Sequence, residues 1–387
     1  MTDRIPIAII GGGVMGLAVA YTLLDRSEQN IVLLEKNEGF GLEQSGSNSG
    51  VIHAGFLYET GTLMATLCVE GAQLLYEFCR KHAVPHQQTG KLMAATKKEH
   101  QNELEKYLKL ARNNGLQDVA IISGKEAKKL EPCLEVSSAL HVPQSGVFDA
   151  SFFVSTLYKK ATAIHNTPDL LMKACNVVRV EPYKDFFRLH VEQSRGDTPT
   201  WQLDCEILIN AAGLYSWDIA KMISPRLPYE KQYLRGEYYQ FNRRYDLFID
   251  MNVYPVPTLV VLPDGGHFLD LGAHLTPKVG PDERGNTSVA KEVLVGPIFI
   301  EVHNPQDYRS TTDRSEFYQS VKSFLPALKE DDLYRGHTGI IGLIKDQKDF
   351  IILKDDSYPN CIHLLGMESP ALTASFAIGR YVADMIT

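Results

Sequence analysis

Four side chains of this sequence are candidates to accept a proton or to bind an anion. His53 stands beside a run of small hydroxylated residues and glycines, where an imidazole can act as a proton acceptor. His274 can accept a hydroxyl proton or bind a carboxylate, and Tyr254 can donate a hydrogen bond to either group. Arg235 can clamp a carboxylate with two hydrogen bonds, because its guanidinium carries a planar fork of donors. Together they predict a site that holds a small acid and removes one of its protons.

Each of these residues also has a purely structural interpretation, which the sequence leaves open. His53 would then only shape a pocket through hydrogen bonds, and His274 would be a hydrogen-bonded histidine of a strand. Arg235 would pair with Glu237, two residues further on, and Tyr254 would pack between the neighbouring prolines. The structural and catalytic interpretations differ in where each side chain points.

The elements that position this site begin with a glycine-rich turn near the N-terminus. A short β-rich run at 5–10 leads into G-x-G-x-x-G at 11–16, a helix is expected at 17–24, and a second strand at 31–34 ends in an acid. The glycines allow a tight turn, close approach of the backbone to a pyrophosphate, and close packing of the helix. The helix N-terminus attracts phosphate, and the acid accepts hydrogen bonds from ribose. The predicted dinucleotide contacts are Gly11, Gly13, Val14, Met15, Gly16, Glu35 and Lys36.

The bulk composition restricts what this site can bind. The chain has 387 residues, a formal charge of -8 and no basic tract, which argues against nucleic acid as a partner. The field of the whole protein opposes an anionic substrate, so local cations must attract it. No run reaches the roughly 18 apolar residues of a membrane span, so we expect no transmembrane segment, while weak membrane association stays open.

The cysteines indicate the compartment. The six cysteines form no C-x-x-C pair and lie at no zinc-finger spacing from histidines. They are too sparse for a disulfide framework, so we expect reduced thiols, a cytoplasmic protein and no metal site.

A further stretch points to a particular dinucleotide. The segment G-S-N-S-G-V-I-H-A-G at 46–55, followed by Tyr58, resembles the D-amino-acid-oxidase-like (DAO) family of FAD-dependent flavoproteins. The resemblance implies that FAD is the cofactor and that this loop passes its pyrophosphate and ribityl chain, bringing His53 near the flavin. It implies FAD contacts at Ser47, Asn48, Ser49 and Gly50.

Other stretches continue this resemblance. The strand at 177–180, the N-A-A-G at 210–213 and the G-M-E-S-P-A-L-T at 366–373 all have counterparts in the family. The last of these precedes a helix whose N-terminus would stabilise the negative charge of reduced flavin. The resemblance implies FAD contacts at Val178, Ala211, Ala212, Gly213, Trp217, Gly339, Gly366, Ser369, Pro370, Leu372 and Thr373.

Three motifs are similar to one branch of the family, the L-2-hydroxyglutarate dehydrogenases and oxidases. They are R-G-E-Y at 235–238, Y-P-V-P at 254–257 and L-G-A-H-L-T-P at 271–277, in the order of that branch. The resemblance implies oxidation of a small 2-hydroxy acid to the 2-oxo acid, by hydride transfer to flavin N5. Oxygen, a quinone or a carrier would then accept the electrons. Two alternatives stay open: an amine oxidase of the sarcosine or glycine type, and a flavin-binding protein with impaired catalysis.

The chain departs from that branch at two positions. Ser47 stands where relatives usually carry a histidine, and Ile341 stands where they carry an arginine near flavin and substrate. The second change removes a cation from a site for a dianion. Arg335 and His337 are the nearby candidates to replace it.

The expected fold is α/β, α+β overall, with a Rossmann-like FAD-binding domain and an interleaved, mostly antiparallel β substrate domain. The FAD-binding domain is predicted at 1–89, 141–222 and 334–387, and the substrate domain at 90–140 and 223–333. A helix is predicted at 311–328.

Overall fold

The computed structural model describes residues 4–26, 30–164, 170–193, 200–261, 267–270, 272–281 and 286–386. Within these ranges the α-helices are α1 (Val14–Arg26), α2 (Leu63–His82), α3 (Gln101–Asn113), α4 (Gly124–Leu130), α5 (Ala150–Ala163), α6 (Ser216–Ile223), α7 (Arg314–Val321) and α8 (Ala371–Ile386).

The strands of the first half of the chain are β1 (Ile5–Ile10), β2 (Ile31–Leu34), β3 (Val51–Ile52), β4 (His86–Gln87), β5 (Lys91–Ala95), β6 (Ala120–Ser123), β7 (Ser138–Val142), β8 (Gly146–Phe148), β9 (Leu171–Met172), β10 (Cys175–Pro182) and β11 (Phe187–Gln193). Those of the second half are β12 (Trp201–Asn210), β13 (Lys231–Asn242), β14 (Asn252–Pro255), β15 (Thr258–Val261), β16 (His267–Asp270), β17 (His274–Pro281), β18 (Thr287–Val302), β19 (Tyr334–Ile344), β20 (Ile351–Lys354) and β21 (Cys361–Leu365).

Strand β1 lies in the interior of the first sheet, between β12 and β2. The sheet runs in the order β10-β11-β12-β1-β2-β9, and β21 pairs with the end of β12 and with β20. Among the described residues, four pairs in this sheet are parallel: β1 with β12, β1 with β2, β2 with β9, and β12 with β21. Because side chains alternate along a strand, Ile7 and Ile9 face α1, α2, α5 and α8, whereas Ala8 and Ile10 face β10, β11 and α6. The sheet is therefore covered on both faces, as parallel strands require.

The second sheet runs in the order β19-β13-β18-β17-β14-β5-β7-β6. Its neighbours are antiparallel except for β14 and β5. Leu92 and Ala94 point into the core of the second domain, while Met93 and Ala95 point back to Phe56 of the first. We call the face that carries Met93 the inner face of the second sheet.

These two sheets confirm the predicted fold class. Hydrogen bonds place β19 beside β13 in the second sheet, so the chain returns to the first sheet only at β20, not at residue 334. Strand β7 likewise lies in the second sheet, which therefore extends past residue 140. The helix predicted at 311–328 is limited to α7, because Phe324, Leu325 and Leu328 reach the core from the turns that follow it.

Helices α2 and α8 approach each other closely at Gly71. A Cβ added at Gly71 would lie 2.5 Å from Ala374 Cα and 2.7 Å from the carbonyl oxygen of Thr373. Backbone atoms cannot rotate away as a side chain can, so only glycine permits this contact.

We therefore predict that Gly71→Ala destabilises the protein. The substitution gains up to about 1 kcal/mol of helix propensity. The overpacking costs about 1–3 kcal/mol and more where backbone must move, so the loss prevails. Urea unfolding measures the difference. Gly280→Ala is the matched control, because its Cβ would meet only the Ala290 Cβ at 3.4 Å. A Gly71→Ala protein as stable as wild type would contradict this packing.

Candidate active site

A cavity of about 360 Å³ opens where the central parallel strands of the first sheet end. This edge also holds the N-terminus of α1, which favours phosphate. Among the predicted contacts, its wall includes Gly11, Gly13, Glu35, Lys36, Ala211, Ala212 and Gly213.

The three glycines of the turn have different constraints. Gly11 has φ +107°, and a Cβ there would lie 2.4 Å from the carbonyl oxygen of Ala211. A Cβ at Gly16 would lie 1.9 Å from the carbonyl oxygen of Gly11. A Cβ at Gly13 would meet only Ser45 Oγ, at 3.1 Å. Gly11 and Gly16 are thus required by the protein itself, whereas Gly13 leaves a bare backbone facing the cavity, which fits a dinucleotide pyrophosphate.

The residues that follow Gly13 take no direct part in the wall. Val14 and Met15 lie in the first turn of α1 with buried side chains, and the N–H of Val14 donates to Ser45 Oγ over 2.9 Å. They shape the turn, and neither side chain lines the cavity.

Glu35 closes the ribose end of the cavity. One carboxylate oxygen accepts the N–H of Gly12 and the other that of Asn37, each over 2.7 Å. Burial raises the pKa of this carboxyl, while the two N–H donors oppose the shift. Lys36 pairs with Glu43 over 2.5 Å. The acid is therefore held at the strand end, where the sequence predicts it.

The structure places the Trp217 side chain away from the cavity wall, although the sequence analysis predicts an FAD contact there. Its indole N–H donates to the Tyr229 carbonyl over 2.6 Å, and its ring packs near Ile344 and Leu365. The wall is formed instead by Asp218, Ile219 and Met222 of α6. Successive helical residues point about 100° apart, so the neighbours of Trp217 face the cavity and Trp217 does not.

Val178 differs from its prediction in a smaller way. Strand β10 has a bulge between Val177 and Arg179, and the pairing with β11 skips Val178. Val177 lines the cavity, and the side chain of Val178 does not. The predicted backbone contact of Val178 stays a prediction.

The loop of Ser47 to Gly50 is clamped by the second sheet. A Cβ at Gly339 would lie 2.1 Å from the Ser47 carbonyl oxygen, so strand β19 presses directly on the loop. Asn48 accepts the N–H of Gly50 over 2.9 Å, and Ser49 hydrogen-bonds the hydroxyl of Tyr238. The two domains thus meet at the predicted flavin loop.

The start of α8 is tied to His53. Thr373 Oγ1 accepts the N–H of His53 over 3.1 Å and donates to the Val51 carbonyl over 3.3 Å. Ser369 Oγ lies 3.1 Å from His53 Nε2 and also hydrogen-bonds the Tyr58 hydroxyl. The hydrogen bond between His53 and Thr373 brings together two predicted sites that lie 320 residues apart.

The remaining predicted residues of this segment shape the approach to α8. Gly366 has φ +63°, a conformation that glycine adopts without strain. Pro370 immediately precedes α8 and its carbonyl accepts the N–H of Ala374 over 3.0 Å. Leu372 is half-buried against the core of the first domain. Their contacts with FAD stay predictions.

The environment of His53 keeps its imidazole neutral. Burial lowers the pKa of His53 well below its usual value, and the nearby Lys91 and His274 lower it further. A neutral imidazole at physiological pH can accept a proton.

Tyr254 and His274 form a stacked pair on the inner face of the second sheet. Their ring centroids lie 3.5 Å apart with an interplanar angle of 10°. Burial raises the pKa of the Tyr254 hydroxyl far above its usual value, so it stays protonated. The structure therefore brings His53, Tyr254 and His274 together. Leu271, the first residue of the motif around His274, lies outside the described residues.

The structure contradicts the predicted role of Arg235 as a substrate clamp. Its guanidinium is 3% exposed and lies 2.9 Å from Glu237 and 3.1 Å from Asp307. It also donates to Thr311 Oγ1 over 2.7 Å. The buried guanidinium is already held by two carboxylates and a hydroxyl, which supports the interpretation of Arg235 as the ion-pair partner of Glu237.

The two candidates for the missing arginine lie in different places. Arg335 is exposed and donates to the Ser310 carbonyl over 3.0 Å, away from His53. His337 stacks on Tyr238, with centroids 4.5 Å apart, and is hydrogen-bonded to the backbone of Asn48 at the flavin loop. Burial lowers the pKa of His337 to about 4, so it brings no positive charge at neutral pH.

Two titratable residues at this site were missed by the sequence analysis. Lys91 is fully buried, with Nζ 3.6 Å from the ring centroid of Tyr254. Burial raises the pKa of Glu368, which lies near Tyr58, to about 7. The available signal for Lys91 was a charged residue inside an otherwise apolar strand. For Glu368 no comparable signal exists.

Comparison with protein families decides what this arrangement is. The model of the FAD dependent oxidoreductase family (DAO) matches residues 6–385. The chain belongs to this family. FAD is its cofactor, and the protein is an FAD-dependent oxidoreductase, in agreement with the bare backbone at Gly13 and the acid at the strand end.

Curated relatives extend this assignment along the whole chain. An L-2-hydroxyglutarate dehydrogenase of Indibacter alkaliphilus is 32% identical, over 98% of this chain and 98% of its own. The mitochondrial enzymes of that name from Arabidopsis thaliana and Homo sapiens are 30% and 26% identical, covering 99% and 100% of this chain and 83% and 89% of theirs.

Solved structures share the fold. L-alpha-glycerophosphate oxidase from Mycoplasma pneumoniae, with FAD bound, superposes with a TM-score of 0.81 at 25% identity, covering 100% of this chain and 95% of its own. Glycine oxidase from Geobacillus kaustophilus gives 0.77 at 17% identity, with the same coverage. At the lower identity the likeness concerns the fold alone.

Two classes of site were not found in the part of the chain that the structure describes. No group of three or more His, Cys, Asp or Glu side chains there is arranged to hold a metal ion. No helix there is both long and apolar enough to cross a membrane.

The glycine turn provides a test of the FAD site. Gly13→Ala should weaken FAD binding at least tenfold, about 1.4 kcal/mol, because the methyl group would occupy the path of the pyrophosphate. The apoprotein should keep its stability, since the Cβ meets only Ser45 Oγ. Titration of apoprotein with FAD, followed by flavin fluorescence, measures the affinity. Gly16→Ala is the contrasting variant, which should unfold the domain. A Gly13→Ala protein with wild-type affinity would refute the placement of the cofactor.

Proposed function

We propose that this oxidoreductase converts a small 2-hydroxy acid, of the L-2-hydroxyglutarate type, to the 2-oxo acid, with His53 taking the hydroxyl proton. The observation that carries the proposal is the position of His53. It is a neutral imidazole held by both its backbone and its ring at the N-terminus of α8. FAD, when bound, supplies the hydride acceptor.

The surroundings of His53 suit a proton acceptor. Ser369 and Thr373 fix the ring and the backbone, so little reorganisation is needed when the proton arrives. His53 as a whole residue is half-buried, so it keeps some exposed surface. General base catalysis by such a group contributes about 10²–10⁴-fold to the rate.

The inner face of the second sheet offers groups for a carboxylate. Tyr254 stays protonated and can donate through its hydroxyl, and His274 lies stacked against it. Both stand in the same cluster as His53, whereas Arg235 does not. The proposed substrate contacts are therefore Tyr254 and His274.

The names of the relatives support the same substrate class. The curated relatives at 26–32% identity are L-2-hydroxyglutarate dehydrogenases over nearly the full chain. The solved structure with the TM-score of 0.81 is an oxidase of another anionic alcohol, glycerophosphate. Oxidation of a hydroxyl carbon beside an anionic group is common to both names.

A flavin-reduction screen tests the substrate. The holoenzyme is mixed anaerobically with L- and D-2-hydroxy acids and with small amino acids, and the flavin absorbance is followed. We expect bleaching by an L-2-hydroxy acid with a second carboxylate. Bleaching by glycine or sarcosine alone would favour an amine oxidase, and bleaching by none of them would favour a flavin-binding protein without this activity.

The role of His53 is tested by substitution and by pH. His53→Ala should lower kcat by about 10²–10⁴-fold while FAD stays bound. Because the pKa of His53 is lowered, the base stays neutral below pH 6.5, so the loss of kcat/KM on the acidic side should begin only below that pH. His274→Ala is the comparison variant. Loss of less than tenfold in His53→Ala would assign the proton to another group.

We also propose that the protein works in a reducing compartment, the cytoplasm. All six cysteines are free, and burial raises the pKa of the Cys68 and Cys205 thiols, which makes them poor nucleophiles. The plant and human relatives are named as mitochondrial enzymes. Fractionation of cells that express the protein would distinguish the two compartments.

A further inference from the structure

Lys91 is a buried amine with no counter-ion among the residues that the structure describes. It lies on β5 with 0% of its surface exposed. Within the described ranges, no carboxylate comes within ion-pair distance of its Nζ, and no hydrogen-bond acceptor contacts it. Lysine is rarely buried without a partner, because transfer of an ammonium from water is costly. Such an atom in a native structure calls for an explanation, such as a catalytic role or a bound water or ion.

The neighbours of Lys91 across the sheet are polar but uncharged. Lys91 pairs with Asn252 on β14, and the pairing of Val253 with Leu275 places Thr276 of β17 next in the same row. Both are buried, and Asn252 Oδ1 and Thr276 Oγ1 have no hydrogen-bond partner among the residues that the structure describes. The row can therefore solvate an ammonium in part, but cannot neutralise it.

The amine is coupled to the proposed substrate groups through one ring. Lys91 Nζ lies 3.6 Å from the ring centroid of Tyr254, and the His274 ring lies 3.5 Å from the same centroid. Non-bonded heavy atoms keep about 3.5–4.0 Å apart, so one face of the ring cannot hold both. Lys91 and His274 must occupy opposite faces of Tyr254, with the amine behind the ring and the imidazole in front of it.

The titratable groups around Lys91 come from four elements. They are Cys68 of α2, His53 of the loop after β3, Tyr254 of β14 and His274 of β17. Burial raises the pKa values of the Cys68 thiol and the Tyr254 hydroxyl, so both are neutral, and the pKa of His53 is lowered. Burial lowers the pKa of Lys91 to about 7. Among Lys91, His53, Cys68 and Tyr254, the amine is thus the group whose pKa lies near neutral pH.

We propose that Lys91 is a positioning residue that supplies the positive charge for the carboxylate of the substrate, acting from behind the Tyr254 ring. The inference rests on the proposed function, since it assigns the counter-charge of that same substrate site. Lys91 would supply the positive charge that relatives obtain from an arginine. In this chain Ile341 stands at the position of that arginine, and Lys91 lies elsewhere.

This role couples anion binding to proton uptake. A bound carboxylate favours the ammonium and raises the pKa of Lys91. Above pH 7 the free protein holds the neutral amine, so each anion that binds brings a proton with it. Affinity must then fall as pH rises, by up to about tenfold per pH unit for one coupled proton.

The test is the binding of glutarate, a dicarboxylate without a hydroxyl to oxidise, to the holoenzyme. Its dissociation constant is measured from the change in flavin absorbance at pH 6.5, 7.5 and 8.5. We expect wild type to lose affinity by roughly tenfold per pH unit above pH 7. Lys91→Met should bind glutarate at least tenfold more weakly at pH 6.5 and show no such pH dependence. Lys91→Arg keeps the charge throughout and should bind with wild-type affinity at pH 6.5, again independently of pH.

The controls separate charge from packing. Lys98→Met removes an exposed lysine and should behave as wild type. If Lys91→Met binds glutarate more weakly but keeps the pH dependence, the effect is one of packing and the proposal is overturned. The proposal is also overturned if the wild-type protein binds no glutarate. If Lys91→Met fails to hold FAD, the pH dependence of Lys91→Arg decides alone.

Glutarate binding needs no turnover. A failed substrate screen together with the expected glutarate binding would therefore refute the proposed function and leave the role of Lys91 in anion binding intact.

Discussion

The structure depends on the hydrogen bonds between the first turn of α8 and the segment from Val51 to His53. Thr373 accepts the N–H of His53 and donates to the Val51 carbonyl, and Ser369 meets the His53 ring. These bonds join the two ends of the chain at the point where the flavin loop ends. The glycine contact at Gly71 lets α2 support α8 from behind, so the imidazole is held by backbone as well as by side chains.

The second sheet completes the site by contributing one of its faces. Its outer face packs into an apolar core, and its inner face carries Tyr238, Tyr254 and His274 toward the first domain. Strand β19 presses on the loop at Ser47, which fixes the distance between the domains. The protein as a whole is acidic, with a formal charge of -8, so an anion is attracted only if a cation acts locally. A lysine behind an aromatic ring meets that need without a guanidinium at the flavin.

Sequence patterns predicted local features well and side-chain partners less well. The glycine turn and its acid occupy the places that their spacing predicts, because each is governed by neighbours close in the chain. Arg235 was assigned to a substrate, but Glu237 and Asp307 bind it first. Trp217 was predicted to contact FAD, but in the structure it lies one position before the residues of α6 that line the cavity. Residues 334–387 were assigned to the FAD-binding domain, whereas β19 pairs with β13 in the second sheet. The residue pattern of a strand at a domain boundary does not indicate which sheet it joins.

The sequence by itself determined the family and the cofactor through motifs that resemble known relatives. It determined the class of fold through strand periodicity and helix ends, which depend on residues near one another. Only the tertiary structure showed which of the candidate cations already have partners among the described residues. The choice between Arg235, Arg335 and Lys91 depends on burial and on partners tens to hundreds of residues distant. The pKa of a buried amine depends on its desolvation and on the charges near it. Both depend on the tertiary structure and not on the residues adjacent in sequence.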